Sequence, residues 1–333
     1  MVKMHMYIVI HILVMFLILG STQAETITLY SGRGKSLVEP IILQFEKETG
    51  IEVEVSFANT TQLASKLMTE GEKSPADVFW AQDAGALGAV SKEGLFAKLP
   101  KKMLSKVPET FRHKDRLWVA TSGRARVLAY SSERVNKDKL PDSIFDLTKS
   151  KWKGKVGWAP LNASFQAFVT AMREQVGDDR TEDWLRDMKK NGTIAYPKNT
   201  PIIEALAAGE IDLGLPNHYY LFRFKKSNSE YPVSQTFFKT KDPGNLVNVA
   251  GIGLLKNSKN EKTALKLIEY LLSSKAQQYF VSEVFEYPVI DGVIPNTNLI
   301  PLDELLKIVP KFDLNEMDDI DGTVKLLRRV GIM

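Results

Sequence analysis

The sequence predicts an α/β protein of two lobes joined by a hinge, and three observations carry that expectation. Short apolar, β-branched segments alternate with amphipathic helical ones along most of the chain. The 333 residues are enough for two cores. No Gly/Ser-rich or Pro-rich linker and no internal repeat divides the chain, so strands rather than a floppy tether would cross between lobes.

The elements follow in order. Residues 26–30 read as a β-branched strand. Residues 36–49 read as a helix with Val38, Ile42 and Phe45 on one stripe and Gly50 as its stop. Strands at 51–57 and 76–80 flank a helix at 61–69. Strands follow at 126–130 and 156–159, then helices at 164–176 and 181–190. A strand at 193–196, a helix at 202–208 and a strand at 211–215 lead to a Gly-containing strand at 248–255. Helices at 262–272, 274–281 and 322–330 complete the chain. Repeated βα units imply mostly parallel sheets covered by helices.

The first 24 residues read as an export signal. Lys3 supplies the basic start, residues 7–20 an apolar run, and Ser21-Thr22-Gln23-Ala24 a small-residue cleavage site. The run is shorter than the roughly 20 residues of a membrane span. The mature chain is expected to begin at Glu25 in the periplasm, an uncleaved anchor being the alternative. Its net charge of +4, or +3 without Lys3, is too mild to argue for nucleic acid. The absence of cysteine excludes disulfides, iron–sulfur clusters, thiolate zinc and Cys nucleophiles. Four histidines, two of them in the leader, are too few for a His-rich metal enzyme.

Tyr219 and Tyr220 follow the apolar segment 211–215 and open an amphipathic helix. Neighbours on a helix point about 100° apart, so both rings are not expected to bury on one face. At the first turn of a cleft-lining helix, both phenol oxygens can reach one ligand. Phenolates are hard anionic donors, suited to ferric iron. An amphipathic surface pair is the bland alternative.

Other loops also follow strands, where α/β proteins place ligands. Ser31-Gly32-Arg33-Gly34-Lys35-Ser36 lacks phosphate-loop spacing but can bring Arg33 near an anion. Asp83 reads as a helix cap, which leaves Gln82 facing the cleft. Arg124 and Arg126, at i and i+2, point the same way and suit a planar oxyanion, or else pair with surface carboxylates. Asn162, Ala163 and Ser164 start a helix whose free N–H groups form an anion site. Asn199 and Asn217 repeat that arrangement. His218 reads as a helix-start residue. No nucleophile elbow or catalytic carboxylate spacing is present.

Taken in this order, the loops resemble the periplasmic ferric-ion-binding proteins, the solute receptors of iron(III) ABC importers. The carrying segments are Ile27 to Arg33, Ser74 to Trp80, Ser122 to Val127, Gly209 to Asp212 and Asn217 to Tyr220. Asp242-Pro243-Gly244-Asn245 and Glu286-Tyr287-Pro288 add to them, and the match spans residues 25–333. The resemblance implies a type II periplasmic-binding-protein fold. Its expected lobes are residues 25–125 plus about 246–300, and 126–245 plus about 301–333. It also implies that Tyr219 and Tyr220 hold one Fe³⁺ with a synergistic carbonate, bicarbonate or phosphate. Asn162, Ala163, Ser164, Asn199 and Asn217 would contact that anion. Its partner would be an inner-membrane ABC permease, with the receptor a monomer and not an enzyme.

The chain departs from this family at three donors. Gly34 stands where one subgroup has His, Gln82 where it has Glu, and Phe165 where others have Tyr. Arg33, Arg124 and Arg126 are the expected anion anchors, and Tyr30 and Tyr196 the expected extra phenolates. The alternatives are a receptor of the same fold for thiamine, phosphonate or an organic anion, and an enzyme built on that fold.

Overall fold

Two five-stranded sheets organise the chain, and they share one plan. The computed structural model describes residues 25–333; the leader read at residues 1–24 lies outside them. In the first half, β1 (Thr26–Ser31), α1 (Lys35–Thr49), β2 (Glu52–Phe57), α2 (Thr60–Glu70), β3 (Val78–Ala81), α3 (Ala84–Lys92) and α4 (Lys101–Leu104) lead to β4 (Val119–Ala125). Next come β5 (Leu128–Ser131), β6 (Val156–Trp158), α5 (Ala163–Val176), α6 (Asp178–Lys190), β7 (Ile194–Ala195), α7 (Asn199–Ala208), β8 (Leu213–Gly214), α8 (Tyr219–Ser227) and β9 (Val233–Thr236). The chain then forms β10 (Val247–Leu254), α9 (Glu261–Leu271), α10 (Ser274–Tyr279), α11 (Leu302–Ile308) and α12 (Ile320–Val330).

The sheet orders are β2-β1-β3-β10-β4 and β7-β6-β8-β5-β9. Both sheets are mixed, not mostly parallel. β10 runs antiparallel to β3 and β4, and β5 runs antiparallel to β8 and β9. The reason is the crossing itself. β5 and β10 are each the first strand after a passage between sheets, so neither follows a local βα turn. The strand expected at 126–130 therefore begins only at Leu128, with Arg126 and Val127 forming the passage between β4 and β5. The second passage is residues 237–246, between β9 and β10. A backbone bond ties the two passages, Arg126 N donating to Leu246 O at 2.8 Å, while Val127 N donates to Pro216 O, after β8, at 3.2 Å.

Aromatic packing sets the helix starts that face the passages. Trp158 of β6 meets Phe165 of α5 and Trp184 of α6 edge-on at 5.5 and 6.0 Å. Phe165 is fully buried in this cluster. The apolar stripe Val38, Ile42 and Phe45 of α1 is buried as its spacing requires. Gly50 ends α1 at φ 69°, a left-handed turn that glycine adopts without strain. The C-terminal segment spans both halves. Thr323 of α12 meets Thr170 of α5 at 2.7 Å, while Gly85 of α3 gives Ile320 room that a Cβ would fill at 2.5 Å. Among the described residues no helix is long and apolar enough to cross a membrane.

Gly32 allows the turn after β1 to press on the start of α2. A Cβ there would lie 2.0 Å from Thr60 Oγ1, which donates to Gly32 O at 3.1 Å. Gly32→Ala is expected to lower the unfolding free energy by about 1–3 kcal/mol in urea titration. Gly34→Ala is the control, since its Cβ would meet nothing closer than Leu37 at 3.7 Å.

Candidate metal and anion site

Tyr219 and Tyr220 are the first residues of α8, which starts after the turn from β8. The backbone places their Cβ vectors apart, yet the rings stack at 4.4 Å and 28°. The rings can still stack because at the first turn no preceding turn obstructs the side chains. Tyr219 is buried and Tyr220 half-buried. Burial and the neighbouring Tyr219 phenol push the Tyr220 hydroxyl's pKa up, opposed by the Asn199 amide and Arg124. The two adjacent phenol oxygens become good donors once a cation displaces their protons.

Three buried arginines surround them. Arg33, from the turn after β1, aims one terminal nitrogen at both oxygens of Glu286, each at 2.8 Å. Ser122 Oγ donates to the same carboxylate. Burial works against the Arg33 charge, but Glu286 and the two phenols outweigh it, and the guanidinium pKa ends above its ordinary value. Its Nε and second terminal nitrogen have no protein partner.

Arg124, at the end of β4, is also buried with Nε and one terminal nitrogen unpartnered. Asp83 faces it. Burial raises the Asp83 pKa, while Arg124 and the N–H groups of Ala86 and Gly85 oppose the rise. As expected, Asp83 caps its helix, accepting from Ala86 N at 3.0 Å. Arg126 is used differently. It donates to Leu215 O and Ser164 O at 2.6 Å each and to Ser164 Oγ at 3.2 Å, leaving Nε unpartnered. Burial and Arg124 lower its pKa to about 9, and the two tyrosines counter them.

The helix starts add amide groups. Asn162 Oδ1 accepts from Ser164 N (3.0 Å) and Oγ (2.7 Å), so this side chain is spent as the cap of α5. Ala163, the first residue of α5, has no intrahelical acceptor for its N–H. The buried Asn199 reaches toward Ser164 Oγ at 3.5 Å and leaves its Oδ1 unpaired. Asn217 Nδ2 and Gln82 Nε2 are buried without partners. An orphaned buried donor costs about 1–3 kcal/mol, so a ligand with several acceptor oxygens would gain from all of them. Thr61 Oγ1 meets Gln166 Oε1 at 3.3 Å, so helices of the two halves touch beside this cluster.

Two expected donors lie elsewhere. The Tyr30 hydroxyl donates to Glu70 at 3.2 Å, at the far end of α2 from Thr60. The Tyr196 hydroxyl meets Glu210 at 3.3 Å, beyond the far end of α7 from Asn199. Burial and Glu210 push the Tyr196 pKa up to about 12. Neither phenol joins the pair, because Tyr30 of β1 and Tyr196, just after β7, each reach a carboxylate at the far side of a helix. Sequence reasoning gave no role to Glu286 and Ser122. Glu286 sits in a quoted motif, but its partner Arg33 is 253 positions away.

This architecture defines a two-lobed solute-binding protein, with a cluster of buried polar groups where the sheets meet. Residues 73–312 match the family described as bacterial extracellular solute-binding protein, and the chain belongs to that family. It is 32% identical over 325 residues to the Fe(3+)-binding periplasmic protein of Serratia marcescens, covering 96% of this chain and 95% of that one. The structure is similar to iron-bound HitA from Pseudomonas aeruginosa, with TM-score 0.88 and 32% identity over 92% of this chain and 99% of that one. It is also similar to Trichodesmium FutA in complex with iron and citrate, with TM-score 0.76 and 31% identity over 92% and 99%.

Glu286→Gln would leave Arg33 buried without its counter-charge. The expected loss is about 3–5 kcal/mol of unfolding free energy, measured in urea. A loss no larger than that of an exposed ion pair would show that the contact carries little.

Proposed function

We propose that this protein is a periplasmic receptor that captures Fe³⁺ together with a synergistic anion and delivers it to an ABC permease. The stacked Tyr219–Tyr220 pair, set among three buried arginines with unpaired donors, carries this reading. Iron is the cargo, and the chain acts as a monomeric receptor rather than a catalyst. Export through a cleavable leader ending at Ala24 puts it in the right compartment.

Charge explains the anion. Two phenolates neutralise two of the three charges of Fe³⁺ and leave one. Arg33, Arg124 and Arg126 add three more, against Glu286 and the burial-disfavoured Asp83. An oxyanion offsets this surplus and supplies metal donors. It has more to supply here than a His/Glu site would require, because Gly34 offers none and Gln82 only an amide. Carbonate, bicarbonate and phosphate all fit that role. The unpaired nitrogens of Arg33 and Arg124, with the Asn217 and Gln82 amides, are the groups that would hold it. Closure follows when both halves gain contacts to the same ligand.

A receptor for an organic anion without metal is the second reading, favoured by the arginines and the missing His and Glu. Calorimetry with iron-free anions separates the two.

The protein loaded with Fe³⁺ and bicarbonate is expected to show a visible tyrosinate-to-iron charge-transfer band. Tyr219→Phe with Tyr220→Phe should abolish it. Acidification should bleach the parent, because protons and iron compete for the phenolate oxygens and the raised Tyr220 pKa strengthens the proton's side. Iron binding as tight in the double variant as in the parent would refute the reading.

A further inference from the structure

The geometry points to His218 as a positioning residue: its imidazole pins the start of α8 to the hinge and so fixes where Tyr219 and Tyr220 present their oxygens. This rests on the ferric reading of the tyrosine pair and adds to it a residue that touches neither metal nor anion.

His218 precedes the pair and is buried. Its ring reaches from the start of α8 to two elements in or beside the first sheet. Nδ1 accepts from Ala125 N at 3.0 Å, at the end of β4. Nε2 meets Phe285 O at 2.7 Å and, facing a carbonyl, donates. The His218 backbone N also donates to Ala125 O at 2.9 Å. Both ring nitrogens are therefore occupied, and the imidazole is excluded as a metal donor. What remains is orientation, and the contacts are specific to it.

The Phe285 carbonyl is itself placed with care. Phe285 ends the π-helical turn Phe280–Val284 at φ 61° and ψ 33°, left-handed backbone that non-glycine residues rarely adopt. The next residue, Glu286, holds Arg33 and Ser122. The one after, Tyr287, exchanges two backbone bonds with Gly123 of β4, at 2.8 and 2.9 Å. Three consecutive residues thus contact the histidine, the arginine and the hinge strand. The rings close the cluster: His218 lies 5.7 Å from Tyr219 and 5.0 Å from Tyr287, and Phe222 of α8 stacks on Phe285 at 5.7 Å. Through His218, the tyrosine helix and Arg33 share one reference point.

The test compares the parent with His218→Phe, His218→Gln and His218→Asn, each loaded with Fe³⁺ and bicarbonate. Phe keeps a ring but makes neither hydrogen bond. Gln reaches toward Phe285 O, whereas Asn reaches only the Ala125 N–H. The readouts are the charge-transfer maximum and the rate of iron loss to EDTA, with melting temperature as control. His218→Phe is expected to shift the maximum and lose iron about tenfold faster, the effect of roughly two ordinary hydrogen bonds. Gln should lie nearer the parent than Asn, and that comparison decides the matter if the Phe variant does not fold. Variants that melt earlier but keep the parent's band and rate would overturn the proposal, since His218 would then only stabilise the fold. Absence of the band in the parent would overturn the ferric reading, and this proposal with it.

Discussion

A buried guanidinium must find partners, and this molecule buries three of them where its two sheets meet. Arg126 solves the problem internally with two carbonyls and a serine hydroxyl. Arg33 is half solved by Glu286, and Arg124 keeps unpaired nitrogens. The cost of that incompleteness is met by the packing of two sheets and their helices. Its consequence is a cluster of unpaired donors that favours negative charge. The tyrosine pair lies in the field of these arginines, and Arg124 offsets part of the burial that holds the Tyr220 pKa up.

The same constraint explains the hinge. Arg126 lies in the first passage between sheets, Arg124 ends the strand before it, and Asn217 bridges to Arg126. Unpaired polar groups and the passage between sheets thus involve the same few residues. A ligand bound by Arg33 on one side and Tyr219 on the other would bias the hinge directly, without a relay through the distant helices.

Much of this was legible in the sequence. Periodicity located most strands and helices, and the fold brings the tyrosine pair, the arginines and the helix-start asparagines into one region, with Asn162 spent as a helix cap. The losses have physical causes. Strand direction follows connectivity, so the antiparallel β5 and β10 could not be read from residue types. β4, whose residues 121–125 were read as part of a loop, and β9, α3, α4 and α11 went unread. β9 lacks a strong apolar alternation, and α3 is rich in Ala and Gly, so neither carries a periodic signal. Tyr30 and Tyr196 share their chemistry with the pair, but side-chain direction sends each to a carboxylate at the far end of a helix. Glu286 was invisible for the opposite reason. Its partner lies at the other end of the chain, and only folding brings them together.

The most direct measurement is a crystal structure of the protein grown with Fe³⁺ and bicarbonate, with anomalous data at the iron edge. The expected result is one iron peak bonded to the hydroxyl oxygens of both Tyr219 and Tyr220, with an oxyanion bridging it to Arg33 or Arg124. Iron bound elsewhere, or an anion on the arginines with the phenols free of metal, would contradict the proposed site.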